Sequence, residues 1–167
     1  QELHDTVSKF SGFIKTGNDV IDTVLTQKGF ICVKNNINFS CILNGENYSY
    51  LSPSEIYSLF GNALDNAIEA SLSLKEEDRF ISIVEKEFGE YSNIKITNNY
   101  EGNIHFDNGL PKTKKDRNLH GYGVRSIKLI AEKYDGRVFF VTEDNIFILD
   151  LFLKRNKAVQ KTQLEDK

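Results

Sequence analysis

The chain has 167 residues, 40% of them hydrophobic and 27% charged, with a formal net charge of -3. This fits one soluble globular domain and excludes a collagenous, low-complexity or wholly disordered chain. The charge balance also gives no global field toward nucleic acid.

No apolar run reaches the roughly 18 residues that cross a bilayer, and no signal-peptide pattern opens the sequence. Cys32 and Cys41 form no CxxC pair, so neither a disulfide framework nor a zinc site is expected and a reducing cytosol is the default. Met is absent and the chain starts at Gln1, which suggests a piece of something longer.

In chain order, Leu3 to Phe13 is compatible with a short helix, which "KTGN" (Lys15 to Asn18) breaks. Thr16, Gly17 and Asn18 are turn and N-cap types, and Val20, Ile21, Val24 and Leu25 follow at helical spacing. A strand is expected around Ile37 to Leu43, followed by an Asn-Gly turn. Ser52, Pro53 and Glu55 form a capping-box start. Ile56, Leu59, Phe60, Ala63, Leu64, Ala67 and Ile68 then recur at steps of three and four, so the spacing predicts an amphipathic helix from Pro53 to Leu72.

Residues 80 to 88 and 92 to 98 alternate as paired strands around "FGE". Asn98 to His120 shows little periodicity and reads as a loop. Val124 to Tyr134 has helical spacing, with Gly136 as its stop. "RVFFVTE" and "NIFILDLFLK" are two further strands, and Asn156 to Lys167 reads as a solvated tail. Helices alternating with hairpin-like strand pairs imply a two-layer α/β sandwich, with a mixed, largely antiparallel sheet and helices on one face.

Four features carry chemistry. On the predicted helix, Asn62, Asn66 and Glu69 fall within roughly 60° of one another, beside the apolar stripe rather than opposite it. Asparagine carbonyls one turn apart suit a hard cation such as Mg²⁺; the alternative is a merely solvated face. The second feature is "HGYGVRS" (His120 to Ser126), a glycine turn leading into a helix. Gly121 and Gly123 let backbone approach a phosphate at a helix N-terminus, unless they only serve a tight loop needing positive φ. The third is the cationic run Lys112, Lys114, Lys115 and Arg117 against Asp116, with Thr113 among them; it would suit a triphosphate or simply be a solvated loop. The fourth is Asn98, where a strand end can hydrogen-bond a purine amino group or merely form a turn. A dinucleotide fingerprint fails on context, because "KTKKDRNL" is no strand, and no GK[ST] phosphate loop is present.

This order of features resembles the GHKL superfamily of ATP-binding domains. "LFGNALDNAIEAS" (Leu59 to Ser71) looks like its N box and "HGYGVRSIKLIAEKYDG" like its second glycine box. The wording is closest to peptide-pheromone (quorum-sensing) sensor histidine kinases of the AgrC type, with "IKTGNDVIDTVLTQK" and "GLPKTKKD" as supporting phrases. The resemblance spans roughly Ile14 to Lys154.

It implies a histidine kinase fold binding ATP with Mg²⁺. Asn66 would hold the metal, with Asn62 beside it near the phosphates. Asn98 would stand in for the aspartate that reads adenine, and Thr113, Lys114 and Lys115 would be lid contacts. His120, Gly121, Tyr122, Gly123 and Val124 would shape the phosphate turn. Glu69 stands where many relatives carry a basic residue, and the usual DxGxG box reads "NNYEGN" here.

The implied activity is transfer of the ATP γ-phosphoryl to a histidine on a dimerisation hairpin missing from this chain. His4 lies too close to the TGN phrase for that hairpin to intervene, so no autophosphorylation of this fragment is expected. The further implied partners are a response regulator and a second copy of the parent, and no nucleic acid. The chain would be the cytoplasmic domain of a membrane-bound kinase. Residues 1–18 would be helix tail and linker, 19–155 the catalytic domain and 156–167 the tail. The alternatives are a regulatory nucleotide-binding GHKL module without transfer activity, or an anti-sigma-type protein serine kinase.

Overall fold

A computed structural model describes residues 14–112 and 121–156. The expectations placed on Leu3 to Phe13, on most of the cationic run and on the tail beyond Asn156 lie outside the described residues.

The first helix, α1 (Asp19–Lys34), starts where the TGN phrase predicts. The Asn18 side chain accepts from the Val20 and Ile21 N–H groups at 3.1 and 3.2 Å, pairing donors that a helix start leaves open. Thr16 donates its N–H and its hydroxyl to Asp22 Oδ1, at 2.7 and 2.6 Å. Its carbonyl accepts from the Gly45 N–H at 2.8 Å. A Cβ on Gly45 would sit 2.2 Å from Thr16 Oγ1, so this glycine is required by close approach. Strand β1 (Asn38–Ile42) follows. The expected Asn-Gly turn is the start of a short 3₁₀ turn, Gly45–Tyr48, capped by Asn44.

The predicted long helix is continuous but not uniform. It comprises α2 (Pro53–Ile56), a π-helical turn (Tyr57–Gly61) and α3 (Asn62–Leu72). The capping box is complete: Ser52 Oγ accepts from the Glu55 N–H and Glu55 Oε2 accepts from the Ser52 N–H. The π turn widens the helix immediately before Asn62. Such turns concentrate at functional sites.

Strands β2 (Phe80–Phe88) and β3 (Tyr91–Asn99) form the expected hairpin. The stretch read as a loop contains a second hairpin, β4 (His105–Asp107) and β5 (Leu110–Lys112). Its turn is Asn108–Gly109, with φ of 50° and 77°. An Asn-Gly pair is the strongest short hairpin signal, and it stands in the sequence without an alternating pattern beside it. Helix α4 (Gly121–Lys133) then precedes β6 (Arg137–Glu143) and β7 (Ile146–Lys154). At the end of α4 the left-handed position is taken by Asp135, with φ of 52°. Gly136 instead donates its N–H to the Ala131 carbonyl, and a Cβ there would lie 1.9 Å from the Phe152 carbonyl oxygen.

The main sheet runs β1-β2-β3-β7-β6, with only the β1–β2 pair parallel. Side chains alternate across it. Ile81, Ile83, Ile94, Ile96, Leu149, Leu151 and Leu153 are buried against the helices, while Lys95, Phe139 and Val141 are exposed on the other face. Each buried aliphatic contributes about 1.5–3 kcal/mol, so this layer outweighs surface pairs such as Lys28–Asp65 at 2.5 Å. The fold is therefore the expected mixed, mostly antiparallel α/β arrangement. Among the described residues no helix is long and apolar enough to cross a membrane.

Glu55 also joins the two long helices. It accepts from Lys133 Nζ at 2.5 Å and from the Tyr134 hydroxyl at 2.7 Å, with its side chain 13% exposed. Partial loss of water pushes its carboxyl up, but the hydrogen bonds from Lys133, from the Ser52 backbone and from Tyr134 outweigh this and hold it at about 2 instead of 4.5. A depressed carboxyl stabilises fully above its unfolded value and loses that contribution as pH falls. Glu55→Gln is therefore expected to lower the melting temperature at pH 7 by a few degrees. Its own melting temperature should fall less steeply than wild type between about pH 4.5 and pH 2, which thermal unfolding at stepped pH checks.

Candidate functional site

A cavity of about 330 Å³ opens between α3, the first turn of α4 and the chain leaving β3. Asn66 and Glu69 from α3, Asn98 from β3 and Val124 from α4 line it together. Asn66 and Glu69, one turn apart on α3, therefore share one wall of this cavity. Asn66 is half-buried and Glu69 exposed, which puts the carboxylate at the mouth.

Asn62 is adjacent rather than lining. Its amide donates to Ser58 Oγ at 3.3 Å, and its side chain packs on Gly123, where a Cβ would come within 3.2 Å of Asn62 Cγ. Gly123 is not among the positive-φ glycines. Gly121 and Gly123 both belong to α4, so they do not form a turn ahead of the helix. At Gly123 the need is closeness to α3 rather than an unusual backbone angle. Tyr122 is 67% exposed and does not line the cavity. Thr113, Lys114, Lys115 and His120 lie outside the described residues.

Asn98 is 2% exposed, in the last paired stretch of β3 opposite Phe147. Its amide nitrogen donates to the Asn99 carbonyl at 2.9 Å, and its amide oxygen is the atom able to accept a hydrogen bond from a ligand. Lys112 lines the cavity too and pairs with Asp107 at 3.3 Å.

Several lining residues are not foreseen by the sequence reading: Ala70, Ser73, Tyr100, Glu101, Asn103, Ile104, Pro111 and Phe147. Ala70 and Ser73 continue the Asn66 face at helical steps, and Phe147 shares its strand face with Leu149 and Leu151. Extending the periodicities would find those. The others sit around the unforeseen hairpin and carry no periodic signal.

The cavity therefore combines an apolar floor (Ala70, Ile104, Val124, Phe147), one buried amide and an oxygen-bearing rim, an arrangement suited to a flat heterocycle with a charged extension. Among the described residues no group of three or more His, Cys, Asp or Glu side chains forms a metal cluster. A divalent ion held by one amide oxygen, ligand phosphates and waters fits the donors at Asn66, whereas a dedicated protein cage does not.

The GHKL domain family model matches residues 51–154. Among solved structures, the nucleotide-free catalytic domain of histidine kinase ThkA is 17% identical. It covers 84% of this chain and 94% of that chain, with a TM-score of 0.61. Another nucleotide-free crystal form of the same domain is 16% identical with a TM-score of 0.62. The Acinetobacter baumannii histidine kinase AdeS is 16% identical, covering 83% of this chain and 64% of that chain at a TM-score of 0.57. These likenesses establish the fold. No curated protein matches the sequence.

The Gly123–Asn62 contact can be tested directly. A branched side chain at 123 must displace Asn62, so Gly123→Val should cost about 1–3 kcal/mol in denaturant unfolding. Gly61 is also helical, but nothing lies within 4 Å of the point a Cβ would occupy. It should accept Ala neutrally or gain up to about 1 kcal/mol.

Proposed function

The chain belongs to the GHKL domain family, and on that premise we propose that it is the ATP-binding catalytic domain of a sensor histidine kinase of the AgrC, peptide-pheromone type. The observation carrying this reading is the shared cavity wall of Asn66, Glu69, Asn98 and Val124.

Adenine would occupy the apolar floor, its amino group donating to the Asn98 amide oxygen. The phosphates would extend toward the N-terminal end of α4, Gly121 to Val124, because a helix N-terminus favours anions. Lys114 and Lys115, with Thr113 and His120, would supply further donors. Asn66 would offer its amide oxygen to Mg²⁺, and Glu69 would make the rim favourable for a cation between protein and polyphosphate. Asn62, pinned by Gly123, would hold the helix face in register. Bound Mg²⁺ would supply charge neutralisation on the phosphate oxygens.

The acceptor is a neutral imidazole on a hairpin outside this chain. The bond from the γ-phosphorus to the ADP oxygen breaks and a phosphorus–nitrogen bond forms. ADP leaves with the electron pair and the imidazole proton passes to solvent. The protein's part is orientation and charge stabilisation. Residues 1–18 would be the tail of the preceding helix with its linker, 19–155 the catalytic domain and 156–167 a tail. The parent would be a membrane-bound homodimer that passes its phosphoryl group to a response regulator, with this domain in the cytoplasm.

Calorimetric titration with ATP, with and without Mg²⁺, tests the site. Asn66→Ala should weaken Mg–ATP binding at least about tenfold, on the order of 1.4 kcal/mol, and remove its dependence on Mg²⁺. An unchanged titration contradicts the metal role. In parallel, γ-labelled ATP should label a histidine hairpin supplied in trans and leave this chain unlabelled. Acid-labile label on the chain itself would place the acceptor within it, and binding without any transfer would make the domain a regulatory nucleotide module.

A further inference from the structure

The main sheet ends on one side at β6. Among the described residues nothing pairs with its outer edge, although β6 is seven residues long and unbroken in register against β7. Such an edge is a template for another strand unless Pro, Lys, a bulge or a covering loop protects it. β6, "RVFFVTE", has no Pro or Lys and no bulge, and it exposes Phe139 at 48% and Val141 at 44%.

Its hydrogen-bonding direction can be read from the hairpin. The two-residue turn Asp144–Asn145, with φ of 49° and 61°, makes Glu143 and Ile146 facing residues. In a hairpin of this type the residues flanking the turn exchange both hydrogen bonds, and alternate residues point theirs the other way. Arg137, Phe139, Val141 and Glu143 therefore turn their N–H and C=O groups toward β7. Val138, Phe140 and Thr142 turn theirs outward.

The side-chain order is complementary to itself in the antiparallel sense. With Phe140 on a two-fold axis, Arg137 faces Glu143 of the second copy, Val138 faces Thr142, and Phe139 faces Val141. The same register sets the outward-pointing N–H and C=O groups of Val138, Phe140 and Thr142 opposite one another. A slip of one residue breaks that hydrogen bonding. A slip of two in one direction unpairs the charges, and in the other it sets Glu143 against Asp135.

We propose that β6 is a self-association edge, and that two copies of this chain pair β6 against β6 about a two-fold axis through Phe140, joining their sheets into one. The interface is isologous, so every favourable cross-strand pair occurs twice. The occupant is a second copy because the charges at the two ends of the strand are opposite and equally spaced from its centre. The inference stands apart from the nucleotide site, whose residues it does not use.

Sedimentation equilibrium of the full chain at low salt, from roughly micromolar to millimolar concentration, tests it, with melting curves confirming that each variant is folded. Wild type should dimerise reversibly. Arg137→Glu and Glu143→Arg each set like charges opposite one another and should weaken the dimer by about tenfold. Combining them restores opposite charges and should return the wild-type dissociation constant, with Mg–ATP titration unchanged throughout. A wild-type monomer across the whole range, single variants that dimerise as wild type does, or a double variant that is not rescued would each overturn the proposal.

Discussion

Everything at the candidate site depends on how closely two helical segments are held over one face of the sheet. At one point the spacing is set by a missing side chain: Gly123 lets α4 settle against Asn62, where even a methyl group would come within 3.2 Å. At the far end it is set by a carboxylate, because Glu55 is bonded at once to its own capping position, to Lys133 and to Tyr134. An exposed ion pair alone would add little. Here the carboxylate is mostly covered and shared among several donors, which is why it is the acid-sensitive element of the helix pair.

The cavity follows from that spacing. Below the two helices, the inward faces of β3 and β7 supply Asn98 and Phe147 as cross-strand neighbours. The helices supply Asn66, Glu69 and Val124 above them. An amide buried at 2% exposure is retained in such a place only if its polar atoms are satisfied or available to a ligand. Its nitrogen donates one hydrogen bond to the neighbouring carbonyl, and its oxygen is the acceptor the side chain can offer a ligand. The π turn before Asn62 and the β4–β5 hairpin complete the surroundings. The turn buries Leu59 and Phe60 in the core while the hairpin stands outside it, and both shape where the polar atoms end up.

What is legible in the sequence is whatever repeats or caps. Asn18, Ser52 and Glu55 announce helix starts through local hydrogen bonding, and the apolar steps from Ile56 to Ile68 announce a buried face that puts Asn66 and Glu69 beside it. The strands are visible by alternation. What is not legible depends on contacts distant in sequence. Gly136 looks like a helix stop, but its requirement comes from the Phe152 carbonyl, and the left-handed position belongs to Asp135. Gly121 and Gly123 look like a turn and lie within α4. The Asn108–Gly109 hairpin escapes notice because strands of three residues carry too little alternation to register. The parallel pairing of β1 with β2 also has no local signature, since it is decided by the helices that cross between them.

The central claim is that the cavity between α3, α4 and the end of β3 is the nucleotide site. Backbone and side-chain amide shifts of the isotope-labelled chain, followed during titration with Mg–ATP, test it most directly. Saturable shifts should be largest at Asn66, Glu69, Asn98, Gly123 and Val124, and should include the side-chain amides of Asn66 and Asn98. Saturation with those residues unmoved, and the shifts gathered instead around Ile14, Lys15, Asp22 and Gln27 on the separate groove beside α1, would contradict the account.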